Sequence, residues 1–355
     1  MINQSNLRKA LSTVLDPESG RDLVSLGVIR ELQTDQDTIC IELDIASTDE
    51  SVQSSLRSSI SAAVRKLAAE LGMRRLPELE VEFLQAGSTP NPLPLVRSVI
   101  AVGAGKGGVG KSTVSVHLAL ALARMGRKVG ILDGDIYGPS LPTMLGLQEI
   151  PPKIDGNTII PFEKDGLKIV SIGRLVEPEK ALVWRGPMAH GAFRQLALQS
   201  DWGELDHLIV DLPPGTGDVP LTLAQLLPLT GAVVVCTPQK VAQDDARRAI
   251  RMFQQLGVSI LGVVENMSGF TAPDGTTIDL FGKGGAEDMA ASMSLPFLGR
   301  LPIHPELAAR GDAGDPGSCH DIEGLGDTLQ SLGEAFDHRI RMAERGEDRP
   351  TLVIR

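Results

Sequence analysis

One octapeptide narrows the folds open to this chain more than any other feature. Residues Gly105-Lys106-Gly107-Gly108-Val109-Gly110-Lys111-Ser112 match the spacing GxxxxGK[ST]. The apolar run Val99-Ile100-Ala101-Val102 stands before them and reads as a strand. Thr113 to Arg124 follow and read as a helix. Strand, glycine loop and helix together form a phosphate cradle. The glycines let backbone N–H groups turn inward, and the helix N-terminus adds partial positive charge. In this geometry Gly105 through Ser112 and Thr113 contact a nucleotide. Lys111 reaches the β- and γ-phosphates, and Ser112 ligates Mg²⁺.

The rest of the chain from Arg97 onward agrees with that strand–loop–helix unit. Further continuous apolar runs appear at 129–132, 208–210, 232–235 and 261–264, separated by helical stretches. Such runs belong to parallel strands covered on both faces. The expected class is α/β: a doubly wound, mostly parallel sheet over residues 97–340. Residues 1–86 predict a separate small α+β domain. It comprises a helix over Asn6 to Leu15, a hairpin of Val28–Leu32 with Thr38–Ile45, a helix over Ser51–Leu71 and a closing strand over Leu79–Leu84. Between the two, residues 87–96 carry Pro90, Pro92 and Pro94, which preclude helix and central strand. They read as a linker, and residues 341–355 read as a charged tail.

Composition excludes several function classes. With 355 residues and 42% apolar content, the chain can bury a core without disulfide or metal staples. A net charge of −11 argues against a non-specific grip on nucleic acid. No apolar run reaches the ~18 residues of a membrane span, and the N-terminal residues lack a signal-peptide core. A cytoplasmic location is expected, with no membrane and no nucleic acid as partner. The three cysteines, Cys40, Cys236 and Cys319, form no CxxC pair, and their sparse use fits a reducing compartment.

The wider string GKGGVGKST, from Gly105 to Thr113, resembles the deviant Walker A loop of the MinD/ParA/nitrogenase-iron-protein class of P-loop ATPases. The resemblance implies an ATP-sandwich homodimer in which Lys106 reaches the partner's nucleotide and acts like an arginine finger. It implies that Asp135, in the string DGDIYGPS, lies in switch I and positions water or a water on Mg²⁺. Asp133 is either a ligand or a strand-end cap. Asp211 ends an apolar run before PPGTGD and resembles a Walker B aspartate that holds Mg²⁺ through water. Gly215 in that turn would offer its N–H to the γ-phosphate. The class places an adenine-reading Asn at the position of Asn266, and Pro302 packs against the base. No NKxD-like string appears, which favours ATP over GTP.

DGDIYGPSLP, DLPPGTGD, ENMS and FGKGGAE together resemble the Mrp/ApbC family of iron–sulfur cluster carrier ATPases. LDPESGRDLVSLGVI resembles the SufT/PaaD-like domain fused ahead of them. The implied function is an ATP-binding and hydrolysing homodimer that passes iron–sulfur clusters to apoproteins. Its cofactors are ATP and Mg²⁺, with a [4Fe–4S] cluster whose ligands the sequence does not identify. Its partners are recipient apoproteins or iron–sulfur assembly factors. There are two departures: the stretch Phe270 to Thr277 lacks the CxxC that many members carry there, and 46–51 lacks the cysteine often found there. Cys236 ends an apolar strand and reads as buried. Cys40 falls on the polar side of its strand. Cys319, beside His320 in a glycine-rich stretch, is the most ligand-like of the three. The alternative is therefore a cluster-free, nucleotide-switched regulator or adaptor. A MinD- or ParA-like positioning ATPase is a third reading. It lacks support because the tail shows no amphipathic basic helix.

Overall fold

The computed structural model describes all residues except 1, 3, 18–21, 25–27, 35–37, 46–49, 74–76, 86–91, 136–137, 157, 175–185, 273 and 346–355. The chain forms two compact units, Met1–Asn91 and Pro92–Arg355.

The first unit contains α1 (Gln4–Leu11), β1 (Ile29–Thr34), β2 (Thr38–Ile45), α2 (Glu50–Glu70) and β3 (Glu78–Gln85). β1 pairs antiparallel with β2, and β2 pairs parallel with β3. The alternation in β2 buries Ile39, Ile41 and Leu43 against Leu7 and Leu11 of α1 and Leu56 and Ile60 of α2. Helix α1 stops at Leu11, short of the Leu15 that its apolar spacing predicts. The Ser12 and Thr13 hydroxyls donate back to the carbonyls of Lys9 and Ala10, which competes with helix continuation. Leu15 is left exposed. Residues 46–49 and the linker residues 86–91 lie outside the described residues.

The second unit opens with β4 (Val96–Ala104), α3 (Lys111–Arg124), β5 (Val129–Asp133) and α4 (Leu141–Met144). Short strands β6 (Lys153–Asp155), β7 (Thr158–Ile160) and β8 (Phe162–Lys164) precede β9 (Leu167–Ser171) and α5 (Gly186–Leu198). Then come β10 (Leu205–Asp211), α6 (Asp218–Gln225), β11 (Gly231–Cys236), α7 (Lys240–Gln255), β12 (Ile260–Thr271) and β13 (Thr277–Ile278). The unit closes with α8 (Gly285–Ser292), β14 (Phe297–Ile303), α9 (Pro305–Asp312) and α10 (Leu325–Glu344). Helix α10 passes Ile340, so 341–344, expected as tail, are helical; 346–355 lie outside the described residues.

Strand order is β13-β12-β11-β4-β10-β5-β9-β8, with β14 also on β12. β9, β5, β10, β4, β11, β12 and β14 run parallel; β8 and β13 are antiparallel edges. The sheet is buried on both sides, as its continuous apolar runs require. Val99 and Ala101 of β4 face a core built with α5, α6, α7 and α8, including Phe193 and Phe253. Ile100 and Val102 face the opposite core, built with α3 and α10, including Phe336. Arg127 clamps α10 from the end of the α3 turn through a two-pronged pair with the buried Asp337, both bonds at 3.1 Å.

Three histidines, the buried His117 and His207 and the half-buried His320, are held in the neutral form. Burial pushes His117 down to about 3, and His207 and His320 to about 4. His207 contacts the Ser98 hydroxyl through Nδ1 at 2.7 Å. Below the ordinary value of 6.5 the unfolded chain takes up protons that the folded chain refuses, so stability falls as pH falls. His207→Asn removes one such group. Urea unfolding of wild type and H207N between pH 6 and 4.5 will show the wild-type free energy dropping more steeply, by about 1.4 kcal/mol per pH unit.

Candidate nucleotide site

Parallel strands deliver their last residues to one edge of the sheet, where ligands bind in open α/β folds. Here that edge gathers the loop after β4, Asp133 of β5, Asp211 of β10, Cys236 of β11 and Asn266 of β12. Asp211 and Asp133 are register partners on neighbouring strands.

The glycine loop crosses from β4 into α3. Gly108 and Gly110 hold φ of 79° and 77°, a region that side-chain-bearing residues avoid. A Cβ on Gly110 would come within 2.1 Å of Asn266 Nδ2, and one on Gly105 within 2.1 Å of the Asp245 carbonyl. The loop is therefore seated between α7 and the end of β12, in contact with both. Gly107 and Gly108 remain exposed, and nothing lies within 4 Å of a Cβ at Gly108. An open cradle with inward-turned backbone fits an anionic phosphate chain.

Asp211 is the buried hub of the site. Its Oδ2 accepts from Lys111 Nζ at 2.7 Å and from Ser112 Oγ at 2.6 Å. Its Oδ1 accepts from Ser115 Oγ at 2.6 Å. Lys111 Nζ also lies 3.9 Å from Asp135 Oδ2. The two aspartates and Ser112 supply the hard oxygen atoms that Mg²⁺ takes. The residues present thus fit both a polyphosphate and its cation.

Asp133 is the last residue of β5. It is fully buried, and it accepts from Ser171 Oγ at 2.9 Å and from the N–H groups of Asp135 and Leu141. Burial, reinforced by the nearby Asp211, pushes its carboxyl up to about 7. Its bonds pin the loop that carries Asp135. Ile136 and Tyr137 of that loop lie outside the described residues.

Two expected contacts have other partners here. The Gly215 N–H donates to the Ala104 carbonyl at 2.8 Å, so it is turned toward β4. Asn266 Nδ2 donates to the Val109 carbonyl at 2.9 Å, so this side chain supports the phosphate loop itself. Pro302 is half-buried within β14, the strand that runs beside the ENMS segment. Lys106 sits half-buried in the loop. Sequence reasoning missed Ser115, whose only signal is a position one turn beyond Ser112 on the same helix.

The cysteines do not converge. Cys236 is buried in one core, and burial with the neighbouring Glu265 pushes its thiol up to about 12. Cys319 belongs to the other core, fully buried, its thiol pushed up to about 11. Cys319, the most ligand-like of the three by its sequence neighbours, sits in Pro316–Asp321, which folds as a tight turn, and packs in the core with α3 and α10. Cys40 is half-buried on the small unit's sheet. Among the described residues no group of three metal-ligating side chains converges.

Residues 95–333 match the family of NUBPL iron-transfer P-loop NTPases. The chain belongs to that family. A second family, iron–sulfur cluster assembly protein, matches residues 4–71 of this iron-transfer NTPase. A protein named iron–sulfur cluster carrier from Deinococcus radiodurans is 46% identical over 312 residues, 87% of each chain. One of the same name from Synechocystis is 42% identical over 325 residues, 89% of this chain and 91% of its own. A nucleotide-binding protein from Archaeoglobus fulgidus, solved in complex with ADP, aligns with a TM-score of 0.59 at 37% identity. That alignment covers 67% of this chain and 94% of the other. The fold is that of a P-loop NTPase, and no described helix is long and apolar enough to cross a membrane.

Ser115→Ala would leave Asp211 Oδ1 buried without its hydroxyl partner. The expected cost is about 1–3 kcal/mol, read as a lower urea midpoint with an unchanged slope.

Proposed function

We propose that this NTPase binds and hydrolyses ATP to drive the handling of iron–sulfur clusters destined for apoproteins, as a cytoplasmic homodimer. The observation that carries the nucleotide half is the Asp211 hub. One buried carboxylate draws the lysine and the serine of the phosphate loop to a single point. The family match over both units supports the cluster half.

Lys111 pairs with the triphosphate in place of Asp211, as a cation on a flexible stem does. Ser112, Asp135 and Asp211 hold Mg²⁺. That ion, when bound, neutralises charge on the β- and γ-phosphates. Asp135 orients the attacking water. Asn266 reads the adenine edge and Pro302 lies against the base. Lys106 from a second copy stabilises charge developing in the transition state. Turnover is slow until closure of two copies assembles the site. The Gly215 N–H reaches the γ-phosphate once it leaves the Ala104 carbonyl, which couples nucleotide binding to movement of the 213–217 turn.

A second reading, a nucleotide-switched adaptor that carries no cluster, is favoured by one observation. Two of the three thiols are buried and held well above the range in which a thiolate forms.

Two lysine variants test the nucleotide mechanism. Lys111→Ala is expected to weaken ATP binding at least about tenfold, since it removes a charge-assisted contact. Lys106→Ala is expected to leave binding within about threefold but to cut turnover at least about tenfold. Wild-type turnover in K106A would rule out the trans-acting lysine. For the cluster half, anaerobically loaded protein should pass iron and sulfide to a cysteine-ligated apoprotein at a rate that ATP changes. K111A should lose the ATP effect. A rate indifferent to ATP in both proteins would favour the adaptor.

A further inference from the structure

Glu265 ends the apolar part of β12, one residue before Asn266, and the nucleotide mechanism leaves it without a role. It is completely buried. Its Oε1 accepts from Ser268 Oγ at 2.6 Å and from the Gly284 N–H at 2.9 Å. Its Oε2 accepts from the Ala286 N–H at 2.8 Å. Arg300 of β14 adds its cationic head, with Nε 3.4 Å from Oε1. The carboxylate thus sits on the N-terminal turn of α8, hydrogen-bonded by Ser268 and by the 284–286 backbone and ion-paired with Arg300.

Those bonds fix an irregular piece of backbone. Between Asn266 and Phe270 the register of β12 with β14 breaks. Met267 takes φ of 57°, and Gly269 takes 76°. A methionine in the left-handed region persists only when its surroundings impose it. The Ser268–Glu265 bond spans this bulge. On the other side, Asn266 reaches the Val109 carbonyl of the phosphate loop. One continuous chain of contacts therefore runs from α8 through Glu265 and the bulge to Asn266 and the loop.

We infer that Glu265 is the positioning residue behind the adenine contact: it holds the 266–269 bulge in the shape that presents the Asn266 carboxamide to adenine. This rests on the reading of Asn266 as the adenine contact. Both carboxylate oxygens face only donors. The isosteric Glu265→Gln must point its NH₂ group at an N–H or hydroxyl donor whichever way it turns, which loosens the bulge without changing volume.

The test uses the full chain with Mg²⁺ and a fluorescent ATP analogue displaced by either ATP or inorganic triphosphate. Inorganic triphosphate engages the loop but has no base. The readout is the ratio of the two dissociation constants. A merely structural loss weakens both ligands and leaves the ratio in place. E265Q is expected to shrink the preference for ATP by about tenfold, the loss of roughly one good hydrogen bond to the base. Ser268→Ala, which removes one bond of the set, should shift it in the same direction by less, and it decides the matter if E265Q does not fold. Asn266→Ala must also shrink the preference. If N266A shrinks it while folded E265Q and S268A keep the wild-type ratio, the positioning role is wrong and the adenine reading stands. If N266A keeps the wild-type ratio, the adenine reading fails and the positioning role falls with it.

Discussion

The buried carboxylate of Asp211 is the contact on which the rest of this site depends. It is the last residue of β10, at the centre of a sheet covered on both faces, and water does not reach it. A charge in that position is tolerated only when paired and hydrogen-bonded. Lys111, Ser112 and Ser115 meet that need, and all three come from the first two turns of α3. The interaction that satisfies the aspartate therefore also sets the depth and rotation of the phosphate-loop helix. Arg127, just after that helix, is tied in turn to Asp337 of α10. Helix, sheet and C-terminal helix are locked together by two buried carboxylates.

Around this hub the site is made of supports as much as contacts. Asp133 holds the loop of Asp135 through backbone N–H groups. Asn266 holds the loop at Val109, and Gly110 lacks the side chain that would block that approach. Glu265 holds the segment behind Asn266. Each support is nearly dry, so it holds its segment firmly.

The elements legible in the sequence were those with local signatures. The glycine loop, the parallel strands and their terminal aspartates follow from spacing and apolar runs. Two of the supporting bonds were not legible because they join residues far apart in the chain: Ser115 lies 96 positions from Asp211, and Asn266 lies 157 from Val109. Cys319 is the opposite case. Its glycine- and histidine-rich neighbours suggested an open ligand loop, but tertiary packing against α3 and α10 buries it. Helix α1 is a third case, where two hydroxyl side chains end a helix that apolar periodicity would extend.

The central claim joins a nucleotide engine to an iron–sulfur cargo in a chain whose cysteines do not converge. Iron and acid-labile sulfide retained per chain, after anaerobic reconstitution and desalting, test it most directly. The account predicts equal iron and sulfide on the wild-type protein, and their loss when Cys40, Cys236 and Cys319 are all replaced by serine. A wild-type protein that binds ATP yet retains neither iron nor sulfide would contradict the carrier account.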